Sequence, residues 1–233
     1  IYSASYNLCE YAQNIIVAAI NSAILPMYLR MWAEEGAEKT KAFLDKSLRF
    51  FILLGFPIVA GLSAVGAELL TFLASEQYAS GDRVIPYVVA SMIFQGGSII
   101  FAAGLYIDRQ SSRLMWMMVV TAIVNVALNF LLIPHFGIEG CAIATLISFV
   151  GLSIYSYLDS RRIVRVDIPV KYLLKITAIS LLMYLGIFKI QIDGVGLTLL
   201  VKIFAGVFLY GAMLLLCDQD TRRFSAKLLK RIS

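Results

Sequence analysis

The chain has 233 residues, of which 60% are apolar and 15% charged, against roughly 45–50% and about 25% in soluble domains. One soluble core of this length cannot bury so much apolar surface, so lipid is the expected solvent. The net charge of +5 is then a matter of membrane topology, and nucleic acid is not an expected partner.

A helix needs about 20 predominantly apolar residues to cross a bilayer. Seven such blocks follow one another, over Tyr2–Leu29, Leu48–Leu73, Val84–Ile107, Met115–Ile133, Cys141–Leu158, Tyr172–Ile190 and Leu197–Cys217. The period-two alternation of a β-barrel is missing from them. The expected fold class is all-α, a polytopic membrane protein of about seven transmembrane helices.

The first block is the least apolar. Asn7, Glu10, Asn14 and Asn21 fall within one helical stripe roughly 60° wide. An ionisable group in the bilayer core costs at least about 2.5–3.5 kcal/mol, so this stripe faces protein or water. A helix seam joined by amides and the wall of a hydrated cavity are both open, and Glu10 favours the cavity. The mixed charges from Glu34 to Lys46 predict a short, solvated surface helix before the second span. The second span contains Gly55, Pro57, Gly61 and Gly66. Proline removes a helical hydrogen bond and bends the chain, so Gly55 and Pro57 are hinge candidates, with a static kink as the alternative.

The connection around Ser75–Arg83 is short and leads to Pro86 in the first turn of the third span. The third span carries Gln95-Gly96-Gly97-Ser98, which suits close packing or binding equally. In the fourth span Asn125 and Asn129 lie one turn apart. Pro134 is expected to stop that helix, and Gly137 and Gly140 allow a tight turn into Cys141-Ala142-Ile143-Ala144-Thr145. The sixth and seventh spans are plainer. Lys202, near the outer boundary of the seventh, is expected to snorkel to the interface rather than form an intramembrane ion pair. The tail alternates Arg222-Arg223, Lys227 and Lys230-Arg231 with apolar residues, a pattern suited to anionic lipid.

Of the 20 Lys and Arg residues, 17 fall on one side of the predicted spans and only Arg83 and Lys189 on the other. The positive-inside rule makes the rich side cytoplasmic, including the C-terminal tail. Seven spans then place Ile1 outside. Without an initiator Met or signal peptide, the expectation is a missing upstream span, with the chain starting partway through a larger protein. Cys9, Cys141 and Cys217 show no ligand spacing and are read as small packing residues. The single His135 sits in a tight turn and reads as an interface residue. No nucleophile–base arrangement or nucleotide-binding loop is visible, so catalytic residues and cofactors are expected to be none. A membrane polymerase or ligase is the alternative from another class, and a seven-helix receptor a weaker one.

Asn125, Asn129, Leu132-Ile133-Pro134, Gly137-Ile138, Gly140, Ala142, Ala144 and Thr145 resemble a signature of polysaccharide-export flippases. The opening Ile1-Tyr2-Ser3-Ala4-Ser5-Tyr6-Asn7-Leu8 and Leu25-Pro26 resemble that family's Tyr-Ser helix and its terminal Leu-Pro. Cys141 departs from the small Gly or Ala usual there. The resemblance spans essentially the whole chain and implies the multidrug/oligosaccharidyl-lipid/polysaccharide exporter superfamily, with its two-lobed, MATE-like architecture. It implies a C-terminal lobe over 1–158, two additional helices over 171–217 and a basic tail over 218–233. It also implies flipping of undecaprenyl-pyrophosphate-linked oligosaccharide across the bacterial inner membrane for O-antigen, capsule or exopolysaccharide. Asn7, Glu10, Asn14 and Asn21 would line the substrate cavity. Asn125, Asn129, Pro134, Gly137 and Gly140 would pack the hairpin. The implied partners are the lipid-linked oligosaccharide, membrane lipids, the N-terminal half, and candidate polymerase or chain-length proteins. A coupling ion, H+ or Na+, is left open. A drug exporter and a lipid II flippase of the same superfamily are the near alternatives.

Overall fold

The computed structural model describes residues 19–73 and 81–217. These form α1 (Ala19–Glu35), α2 (Ala37–Leu73), α3 (Ile85–Phe101), α4 (Ala103–Ile107), α5 (Ser111–Phe136), α6 (Ile138–Ser160), α7 (Val170–Phe188) and α8 (Val195–Cys217). Among the described residues there is no strand, and six helices are long and apolar enough to span a membrane. They are α2, α3 with the turn preceding it, α5, α6, α7 and α8. The protein is therefore an all-α, polytopic membrane protein. Helix α1 holds the described part of the first predicted block, Ala19–Leu29, and runs on to Glu35.

The helices pack as a row, α5 against α6, α6 against α3, α3 against α2 and α2 against α7. Helix α8 lies on both α2 and α7, and α1 on α2. Helix α2 therefore touches most of the others, and its apolar residues carry the main core. Leu44, Leu48, Phe51 and Ile52 meet Ile24 and Tyr28 of α1, Ile100 of α3, Ile176 and Ile179 of α7 and Leu214 of α8. Helix α5 is the opposite case. Met117 is its one buried residue, and Trp116, Ile123, Phe130 and Leu131 are exposed as an apolar face.

Four expectations need correction. The charged stretch before the second span is not a separate surface helix. Residues from Ala37 onward continue without a break into the 37-residue α2. Gly36, at φ +83°, alone makes the turn from α1, the left-handed geometry that glycine adopts most easily at a helix end. Pairing explains why the charges tolerate the helix. Lys41 bonds Asp45 at 2.8 Å and Asp167 at 2.5 Å, while Thr40 caps back onto the Gly36 carbonyl at 2.9 Å.

Pro134 does not stop α5, which runs on to Phe136. In the last turn, proline removes only one donor, and the stop comes at Gly137, φ +56°, whose N–H still bonds Ile133 at 2.8 Å. Leu25-Pro26 likewise lies inside α1 rather than at its end.

Lys202 does not snorkel. It is 2% exposed, pairs with Glu68 at 2.5 Å and donates to the Ala64 carbonyl at 3.2 Å. A counter-charge within reach removes the need to extend to the interface.

Candidate functional site

Two cavities in the described helices bear on function. The larger, of about 630 Å³, opens between α2, α3, α6 and α7. Phe51, Phe56, Ile93, Val150, Tyr157, Leu173 and Tyr184 are among its walls. Three of the six hydroxyls in its lining are bonded to backbone carbonyls. Ser63 donates to Val59 at 2.6 Å, Thr177 to Leu173 at 2.8 Å, and Ser153 across the interface to Phe94 at 2.9 Å. Bonded to backbone carbonyls, they leave a surface close to hydrocarbon in character. Gly97 lies against Phe51 in this wall, where a β-carbon would make ordinary contact at 3.4 Å. Phe101 and Tyr157 meet edge to face at 6.1 Å.

The second cavity, about 390 Å³, lies where the far end of α2 meets the α7–α8 turn. Glu68, Asp82, Lys189, Gln191 and Lys202 line it. Its character is polar and its formal charges balance, two acidic against two basic.

The α5–α6 hairpin brings Asn125, Asn129 and Thr145 together. Asn125 Nδ2 donates to Thr145 Oγ1 at 3.4 Å, and Asn129 Nδ2 to Asn125 Oδ1 at 3.1 Å. Asn129 Oδ1 is buried with no partner among the described residues. Gly140 sits directly against the backbone of Leu132. His135 stacks edge-on with Phe136 at 6.5 Å and is exposed. Among the described residues no cluster of His, Cys, Asp and Glu has metal-ligand spacing.

At the basic end, the connector between α6 and α7 folds over α2. Val164 and Val166 are buried in the main core, and the Asp167 N–H donates to Asp45 Oδ1 at 2.7 Å. The hydrogen bond from Lys41, then its charge, holds the Asp167 carboxyl below the usual carboxylate range. The same bonds, to Asp167 first and Asp45 second, push the Lys41 ammonium up.

The polar stripe proposed for a cavity wall is not brought into view by these contacts. Asn7, Glu10 and Asn14 lie outside the described residues, as does the side chain of Asn21. Gly55 and Pro57 lie within an unbroken α2, with Gly55 against Ile93. Sequence reasoning did not single out the apolar cavity, because its walls come from four helices whose apolar residues look alike in order. It also missed Tyr210, whose hydroxyl donates to the Leu53 carbonyl at 2.6 Å.

Comparison with known proteins bears on this architecture. A flippase of Haloferax volcanii, named as the probable low-salt glycan biosynthesis flippase Agl15, is 24% identical over 192 residues. That match covers 82% of this chain and 40% of the relative. A solved structure of the lipid II flippase MurJ in an inward closed conformation has the same fold, at a TM-score of 0.75 and 15% identity. It covers 93% of this chain and 47% of that one, so the chain spans less than half the length of either relative. The family described as lipid II flippase MurJ matches residues 1–217, and the chain belongs to that family, a family of transporters rather than of enzymes.

Proposed function

We propose that this chain is the C-terminal half of an alternating-access flippase for a polyprenyl-pyrophosphate-linked glycan, with lipid II as the leading cargo. The observation that carries this reading is the family match over residues 1–217. The geometry is suited to the task. A flippase must keep an isoprenoid tail in an apolar environment while it shields a sugar and pyrophosphate headgroup from the same hydrocarbon. The 630 Å³ cleft, walled by apolar side chains and with Ser63, Ser153 and Thr177 bonded to backbone carbonyls, suits the tail. The stripe of Asn7, Glu10, Asn14 and Asn21 suits the headgroup, because amides both donate to and accept from sugar hydroxyls. Glu10 does not suit pyrophosphate and is assigned to a coupling ion, H+ or Na+, or to a cationic partner.

A second cargo, an oligosaccharide unit for O-antigen, capsule or another surface glycan, is favoured by the match to a relative named for glycan biosynthesis. The distribution of Lys and Arg, 17 residues to 2 across the membrane, supports a plasma-membrane protein with a cytoplasmic C-terminus. In a bacterium that is the inner membrane. The exposed apolar face of α5 is assigned to lipid or to the other lobe.

Proteoliposomes of the native protein, loaded with fluorescent lipid II or with an undecaprenyl-pyrophosphate oligosaccharide, test both cargoes. Protein-dependent flipping is expected, reduced at least tenfold by Glu10→Gln or Asn14→Leu at equal abundance. Flipping of neither lipid, with organic-cation export instead, would overturn the reading in favour of a drug exporter.

A further inference from the structure

Helix α2 contains one backbone acceptor that its own sequence leaves unserved. A helical N–H at position 57 would bond the Leu53 carbonyl, but residue 57 is proline and has none. In a membrane a freed carbonyl has no water to turn to. The hydroxyl of Tyr210, on α8, donates to that carbonyl at 2.6 Å. Farther along the same helix, about two to three turns beyond Pro57, Lys202 of α8 reaches the Ala64 carbonyl at 3.2 Å and Glu68 at 2.5 Å. Lys202 is 2% exposed, so Glu68 and that carbonyl are its means of compensation for desolvation. The contacts run in antiparallel register, 210 to 53 and 202 to 64 and 68. Two hydrophilic side chains of a strongly apolar helix are both spent on one neighbour, on either side of its proline.

We propose that α8 is a positioning helix for α2: Tyr210 replaces the hydrogen-bond donor that Pro57 lacks, and the Lys202–Glu68 pair fixes the register in which it does so. Leucine side chains alone would let α8 rotate or slide against α2, since one apolar contact resembles the next. A buried ammonium leaves one register without an unpaired charge. In that register the weakest turn of α2 is braced from outside. Pro57 is then an adjustable joint whose stiffness is set by a residue more than 150 positions away in the chain. The role of that joint in transport rests on the flippase reading above, whereas the bracing itself does not.

The test is a double-mutant cycle on the native protein in nanodiscs, read by amide hydrogen exchange over residues 53–58. Tyr210→Phe removes one oxygen and keeps the ring. It is expected to accelerate exchange there roughly three- to tenfold, the size of one lost hydrogen bond. In a Pro57→Ala background, the restored N–H at 57 takes the Leu53 carbonyl, and Tyr210→Phe should then change exchange by less than about twofold. Equal acceleration in both backgrounds would mean that Tyr210 acts through packing and would overturn the proposal, as would no acceleration in either. Lys202→Met should likewise accelerate exchange over residues 53–58, because the register that places Tyr210 is no longer held. Unchanged exchange in a folded Lys202→Met protein would overturn the assigned role of the ion pair. Exchange requires no cargo, so failure of this proposal and failure of the flippase reading are separate results.

Discussion

Gly140→Ala tests whether backbone contact holds the α5–α6 hairpin. A β-carbon at 140 would lie 2.5 Å from the Leu132 carbonyl oxygen, 2.7 Å from its carbon and 3.0 Å from the Ile133 nitrogen. All three belong to the backbone of α5, so no side chain can rotate aside. The nearest approach falls about 0.9 Å short of the 3.4 Å at which ordinary contact begins, and the two helices must part by a similar amount. The Asn125–Thr145 bond, already 3.4 Å long, cannot survive that separation. Overpacking costs about 1–3 kcal/mol and the lost bond about 0.5–1.5 kcal/mol. The better helix propensity of alanine returns up to about 1 kcal/mol. The clash wins, and the expected net loss is about 1–3 kcal/mol in unfolding measured in mixed micelles. Gly151→Ala is the control, because it lies in the same helix with nothing within 4 Å of the added carbon. That variant should be unchanged or more stable by up to about 1 kcal/mol. A Gly140→Ala protein as stable as the parent, or an equal loss at Gly151, would refute close backbone packing.

Two further outcomes follow from buried and exposed polar contacts. Ser160 Oγ accepts the buried Gly104 N–H at 2.7 Å, so Ser160→Ala should cost about 1–3 kcal/mol by stranding that donor, read by the same unfolding assay. Exchange of the Asp167 amide reports the connector at the basic end. The depressed Asp167 carboxyl contributes stability above its unfolded pKa, and that contribution is lost as pH falls through its lowered folded value. The raised Lys41 ammonium contributes below its unfolded pKa, and that part is lost as pH rises through its raised folded value. Protection of the Asp167 amide, after correction for intrinsic exchange, should therefore be greatest between these limits and fall on both sides, and a pH-independent profile would remove the tie from the account.

Much of the architecture was present in residue order. Apolar blocks long enough to span a bilayer are a local property, readable without knowing what they touch, and they define an all-α membrane protein. The tight turn at Gly137 is legible for the same reason, since conformational freedom belongs to the residue itself. Local reasoning misjudged Pro134, where the helix had only one donor to lose, and the charged start of α2, where Asp167 from a distant connector pairs with Lys41.

Lys202 marks the boundary between what order determines and what the fold decides. Alone in an apolar segment, a lysine near the interface does best by reaching for water, and residue order names no counter-charge for the alternative, an intramembrane ion pair. Packing α8 against α2 places Glu68 at 2.5 Å, and the lower free energy then lies inward. Tyr210 and Leu53 meet in the same way, across 157 positions. Spans and turns depend on each residue's own transfer energy and backbone freedom, which order alone supplies. Which charge is paired, and which freed carbonyl finds a donor, depend on distances that exist only once the helices have chosen their neighbours.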